Sequence, residues 1–222
     1  MVAAPLCEQP PVPAQPSRRG RPSIAEAEQI SGKILDASWD VLLEEGFESF
    51  TFDRVARRAR IGKATIYSRF ANKSELLHAL LWQRTHLRRA FILAQGADLP
   101  LVEAFALRAT EVIMTLASPD GQLVERLMDW LDLEKGGAQG NVRARVYCDA
   151  VEAIAESFVR ANERGGQVIP DPRVAAQFWV EGLMGHARMA IAQCAVSRAE
   201  TERWALGYAR FFFAGVEAFV AR

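Results

Sequence analysis

The spacing that most invites a chemical reading is Glu75-x-x-His78, a carboxylate and an imidazole three positions apart. On a helix the two share a face, as in carboxylate-bridged di-iron centres, but such a centre needs a second copy and further glutamates on neighbouring helices. Neither His86 nor His186 has an acid three residues before it, and the three histidines share no metal-ligand spacing. Cys7, Cys148 and Cys194 are odd in number, far apart and without a CxxC pair, so a disulfide framework and a structural zinc site are both disfavoured. There is no GxSxG and no Walker loop. The expectation is a protein that is not an enzyme and holds no metal or cofactor.

The elements that would position any site are helices. Proline and glycine punctuate the chain: Ser118-Pro119 and Asp171-Pro172 each pair a capping residue with proline at the first helical position. Gly46, Gly96 and the pairs Gly136-Gly137 and Gly165-Gly166 follow apolar-periodic segments, as helix stops do. No stretch sustains period-2 alternation, so the fold class is all-α. The pattern predicts helices over 25–45, 52–59, 63–70, 73–95, 99–117, 119–134, 142–164, 172–194 and 198–221. Six of the ten prolines fall at or before Pro22, in a stretch with little to bury, read as a disordered arm.

Composition sets limits. The 222 residues are 50% hydrophobic and 24% charged, with 27 Lys+Arg against 27 Asp+Glu. No global charge points to nucleic acid or membrane. No apolar run approaches the ~18–20 residues that span a bilayer, and no basic start precedes an apolar signal-like segment, so the expected compartment is the cytoplasm. Charge does partition locally: Arg18 to Lys73 holds 11 Lys/Arg and 8 Asp/Glu, and the remainder of the chain is mildly acidic.

The informative segment runs from Thr51 to Lys73, TFDRVARRARIGKATIYSRFANK. Two short helices joined by a tight connection must meet through few contacts, and Val55, Ala56, Ala59, Ile61, Ile66 and Phe70 are spaced to supply them. This is helix-turn-helix spacing, although any tight helical corner could share it. The residues themselves are more specific. The pattern T-x-x-x-V-A-x-x-A-x-I-x-K-A-T-I-Y-x-x-F-x-N-K resembles the DNA-binding motif of the TetR family of bacterial transcriptional regulators. The preceding helix, ILDASWDVLLEEGFESF, also resembles that family's first helix, so the close match covers about residues 30–77.

The resemblance implies roles. Thr51, Tyr67 and Lys73 match positions that contact phosphates. Lys63, Ala64, Thr65 and Ser68 fall on the start and outer face of the recognition helix, where Ala64 and Thr65 offer methyls to thymine. Arg69 is read as long and exposed, able to reach phosphate or guanine. Arg60 stands where the family often has a turn glycine with positive φ, and Gly62 where a serine usually caps the recognition helix. Upstream, Arg19 and Arg21 lie in Arg-Arg-Gly-Arg-Pro, either an arm for a narrow A·T-rich minor groove or a solvated basic tail.

The expected organisation is an arm over 1–22, a three-helix helix-turn-helix DNA-binding domain over 23–73, and a helical ligand-binding and dimerisation domain over 74–222. The last two helices are apolar around most of their circumference and must be covered on two sides. A homodimer interface on Phe178, Gly182, Gly185, Tyr208, Phe212, Gly215 and Phe219 would do this; a helix central to one subunit would do so too. A ligand pocket is implied by the resemblance. Its candidates are Trp82, His86, Phe105, Met114, Trp130, Tyr147, Phe178 and His186, each of which plain core packing would also explain. Few charges converge in the sequence, so a largely apolar small molecule is expected. The resulting expectation is a repressor released from a palindromic DNA operator by a small effector. The alternative is a helical small-molecule-binding protein without specific DNA binding.

Overall fold

The computed structural model describes residues 24–134, 141–165, 168–194 and 196–220, and side chains between 25 and 216. The arm with Arg19 and Arg21, and the side chain of Phe219, lie outside the described residues. Nine helices and no strand are found among the described residues: α1 (Ile24–Glu45), α2 (Phe52–Ala59), α3 (Lys63–Tyr67), α4 (Lys73–Ala94), α5 (Leu101–Ala117), α6 (Pro119–Glu134), α7 (Val142–Glu163), α8 (Pro172–Ala192) and α9 (Arg198–Val220).

Local chemistry sets the ends. The Asp171 carboxylate accepts from the Arg173 and Val174 amides, with Pro172 in the first turn of α8. Asn141 accepts from Ala144 at the start of α7. Gly46, at φ 75°, follows α1 in the left-handed region that glycine tolerates best. The third helix stops three residues before the expected end at 70. There the Ser68 hydroxyl donates to the Thr65 carbonyl, and the amides of Arg69 and Phe70 both return to the Ile66 carbonyl, tightening the last turn.

Two apolar cores form. One gathers Ile34, Trp39 and Leu42 of α1, Val55 of α2, Ile66 of α3, Leu76 to Leu81 of α4, and Leu123, Leu127 and Leu131 of α6. The head therefore does not pack as an isolated three-helix unit, because α4 and α6 close its underside. The second core belongs to the body, where α5 lies along α9 and α7 along α8. Its centre is aromatic: the Phe105 ring lies 5.0 Å from Phe158, 5.0 Å from Trp179 and 5.4 Å from Phe213. Each such ring, fully buried, contributes about 1.5–3 kcal/mol. Helix α7 contributes to both, with Val142 in the first core and Val151, Ala155 and Phe158 in the second, while α4 runs from Leu76 in the first core to a last turn near α5. Among the described residues no helix is long and apolar enough to cross a membrane.

Candidate nucleic-acid interface

The α2–α3 corner is built by caps and one strained residue. Thr51 is extended (φ −136°), and its hydroxyl accepts from the Arg54 amide at 3.4 Å, a long bond. Phe52, Val55 and Ala56 face inward. Arg60 takes the left-handed conformation, φ 54° and ψ 47°, at the position where the resemblance implied a turn glycine. The Ile61 amide then donates to the Ala56 carbonyl at 3.1 Å, closing the helix end. Gly62 caps α3 without a side-chain bond.

This corner leaves Thr51, Lys63, Ala64, Tyr67 and Ser68 exposed and Thr65 half-buried. The Tyr67 ring lies 4.9 Å from Phe52, yet the residue is 52% exposed. Asp53 bonds the Lys63 ammonium at 2.9 Å and holds it above the ordinary lysine value, tying the first residue of α3 to α2.

Two expected contacts point elsewhere. Arg69 is not exposed: its Nη1 donates to the Ser31 hydroxyl at 3.2 Å and its Nε is buried without a hydrogen-bond partner. The short α3 turns this side chain back under α1. Lys73 is also drawn inward, donating to the Phe47 carbonyl at 3.2 Å and lying over the rings of Trp130 (5.1 Å) and Phe50 (5.4 Å). These contacts brace the α1–α2 connection.

The cations of the head separate into paired and unpaired. Arg54 pairs with Glu45, and Arg58 with Glu44 and Asp40. Arg57 and Arg60 are exposed and have no carboxylate partner among the described residues. With Asp53 and Gly62 they line an open concavity beside the start of α3. The helix-turn-helix pattern does not single out Arg57, and Arg60 enters it only at the turn. The signal was present in the run of arginines at 54, 57, 58 and 60, of which only structure shows which are neutralised.

Glu75 is a helix cap. The Asn72 side chain accepts from the Glu75 amide at 2.9 Å, and the Glu75 carboxylate accepts from the Ala71 amide at 2.7 Å. Among the described residues no group of three His, Cys, Asp or Glu could hold a metal ion.

The eight ligand candidates do not converge. Trp130 stacks on Phe47 under the head. Trp82 lies beneath the Arg145 guanidinium, 4.7 Å away, and His86 is exposed. Met114 is half-buried. Tyr147 donates its hydroxyl to Glu181 at 2.8 Å. His186 stacks on Trp204 at 3.6 Å. Phe178 points outward at 65% exposure. Only Phe105 borders a cavity, one of 350 Å³ among the ends of α4 and α7 and the start of α5. Contrary to the expectation of few convergent charges, Arg108, Arg160 and Arg164 line it.

Of the interface candidates, Phe178, Gly182, Gly185 and Gly215 are exposed. Gly182 also serves its own subunit, because a Cβ there would meet the Tyr208 hydroxyl at 2.3 Å. Tyr208 is turned inward, its hydroxyl 3.0 Å from the Phe178 and Trp179 carbonyls, and burial pushes its pKa up to about 12. Phe212 is half-buried against Phe158 and Trp179. Its neighbour Phe211, absent from the expected interface set, is 80% exposed.

Fold and corner together define a helix-turn-helix head on a helical body. Residues 34–80 match the family described as bacterial regulatory proteins, tetR family. The chain is 35% identical over 198 residues to the transcriptional regulator AcuR of Cereibacter sphaeroides, covering 83% of this chain and 89% of that one. It is 33% identical over 112 residues to the HTH-type transcriptional regulator YdeS of Bacillus subtilis, a match spanning 50% of this chain and about half of YdeS, 53%. A solved TetR-family chain from Mesorhizobium loti MAFF303099 superposes with a TM-score of 0.71 at 18% identity, covering 85% of this chain and 96% of that one, a likeness of fold. The chain belongs to the TetR family of transcriptional regulators.

Proposed function

We propose that the chain is a DNA-binding transcriptional regulator whose α3 enters the major groove while the start of α2 lies on the backbone. The observation that carries this reading is the exposed surface on the α2–α3 corner. It is made of short side chains (Ala64 and Ser68, with Thr65 half-buried between them), hydroxyls (Thr51, Tyr67) and two unneutralised arginines (Arg57, Arg60). Short side chains let the backbone approach base edges, and hydroxyls and guanidiniums bind phosphates. On this reading residues 23–73 form the DNA-binding unit and 74–222 the regulatory body. Arg19 and Arg21 extend the contact into the minor groove.

The second part of the proposal is a homodimer. Phe178, Met189 and Phe211 are large, apolar and exposed, and Gly185, Gly207 and Gly215 beside them have open space where a side chain would be. A two-fold pairing of α8 and α9 covers this surface and sets two α3 helices on a palindromic operator. Repression follows if the bound dimer occludes a promoter, with release by a small effector in the body. A gel shift with fragments of the host genome over a salt titration tests the reading. A fragment retained against excess random duplex, with affinity falling steeply with salt, supports it. Binding no tighter to any fragment than to random duplex refutes it.

A further inference from the structure

The 350 Å³ cavity at the end of the body farthest along α4 from the head joins two unlike surfaces. Leu99, Leu101 and Phe105 form an apolar wall, and Arg108, Arg160 and Arg164 bring three guanidiniums to the same space from α5 and α7. Two of these have an ordinary explanation, since cations near a helix C-terminus complement its dipole, and Arg160 and Arg164 end α7. Arg108 also meets a helix end, at the Gln95 carbonyl that closes α4, but it comes from the first half of α5 and is half-buried.

Its guanidinium is held in place. The Nε donates to the Gln95 carbonyl at 3.0 Å, and the group lies 5.4 Å from the Phe105 ring centroid. Neither Arg108 nor Arg164 pairs with a carboxylate among the described residues. Arg160 has only the exposed neighbour Glu156 at 3.6 Å, and it also donates to the Ser157 hydroxyl. Burial, then the positive charges of Arg160 and Arg164, lower the Arg108 pKa from its ordinary value. The site thus concentrates positive charge beside an apolar wall, with five fork-like donors on each guanidinium and almost no internal acceptor.

We propose that this cavity binds a small amphipathic oxyanion, its carboxylate or phosphoryl head on Arg108, Arg160 and Arg164 and its short apolar body along Leu99, Leu101 and Phe105. The inference rests on the effector-binding reading of the body and gives that effector a chemical class. An anion neutralises the mutual repulsion of the three cations, and bidentate geometry makes the guanidinium fork selective for planar or tetrahedral oxyanions.

The test is calorimetric titration of the full chain at neutral pH and low salt with hexanoate, hexyl phosphate and hexanamide. Saturable binding of at least one anion, with none of the amide, is expected. The tighter anion identifies the head group. Arg108→Met should weaken that binding at least tenfold. Because Arg108→Met alters a half-buried position, the exposed pair Arg160→Gln/Arg164→Gln serves as a second variant and should weaken it by a similar factor. Absence of saturation by both anions, equal binding of the amide, or wild-type affinity in both variants would overturn the proposal. A gel shift run beside the titration separates the two readings. Anion binding without any change in operator affinity leaves this site standing and removes the effector role. Operator release by uncharged compounds, without anion binding, does the reverse.

Discussion

The indole N–H of Trp39 donates to Oδ1 of Asp120 at 2.8 Å, joining α1 of the head to the first turn of α6 across 81 positions of sequence. The Arg84 guanidinium covers the same indole at 4.8 Å and bonds Asp36 at 3.0 Å, so α1, α4 and α6 meet at one tryptophan. A hydrogen bond to a charged acceptor, partly buried, contributes about 1.5–3 kcal/mol. Trp39→Phe should therefore lower unfolding stability by roughly that amount in urea titrations, after which Asp120→Ala should cost little more. Fully additive losses would show that the two side chains do not act as a pair.

Arg60 offers opposed readouts. A non-glycine residue in the left-handed region carries strain of about 1 kcal/mol, so Arg60→Gly should raise the thermal midpoint or leave it unchanged. The same change removes an unneutralised cation beside α3. Operator affinity should fall and the salt slope should shrink by about one contact. Lower stability with unchanged DNA binding would contradict both halves.

Lys73 should behave differently from Arg57. Its ammonium is already engaged by the Phe47 carbonyl and two rings, and such contacts contribute about 0.5–2 kcal/mol. Lys73→Ala is expected to reduce stability and to change the salt slope less than Arg57→Ala does. A larger slope change for Lys73→Ala would show that the ammonium leaves its internal partners for phosphate.

For the proposed dimer, adjacent phenylalanines give the contrast. Phe211→Asp places a carboxylate on the exposed α8–α9 surface and should yield a folded monomer in sedimentation, with operator affinity reduced to the non-specific level. Phe212→Asp places it against Phe158 and Trp179 and should destabilise each subunit. A dimeric Phe211→Asp protein would move the interface off this surface.

His186 supplies a pH dependence. Burial holds its imidazole below the ordinary histidine value, so the unfolded chain binds the proton first as pH falls. Stability from this site is complete above about pH 6.5 and declines below it, until the folded imidazole also protonates. Thermal melts across that window should show the decline, and His186→Phe should flatten it. An unchanged slope in the variant would assign the effect elsewhere.

Much of this architecture was legible in the chain. Pro119 and Pro172 marked helix starts, and Phe52–Ala59 was readable to the residue because Thr51 caps it and its buried positions are few. The fate of long side chains was not. Arg69 and Lys73 have the sequence environment of surface cations, and their partners Ser31, Phe47 and Trp130 are contributed by distant segments. The arginine cluster was hidden for the same reason: Arg108 meets Arg160 and Arg164 only through the packing of α5 near the end of α7. Phe211 and Phe212 are adjacent, and only the rotation of α9 about its axis decides which faces outward.

Helix α4 is 22 residues long, capped by Asn72 at one end and bordering the arginine-lined cavity through Leu93 at the other. At 1.5 Å per residue its ends stand about 30 Å apart. A rod of that length is a lever. If it pivots about one end, a tilt of about 4° displaces the other by about 2 Å, several times the roughly 0.5 Å over which a hydrogen bond keeps its geometry. Two α3 helices held at a fixed spacing by a dimer would each inherit that displacement in mirrored directions, so an adjustment too small to disturb either core becomes a mismatch in the pitch between half-sites.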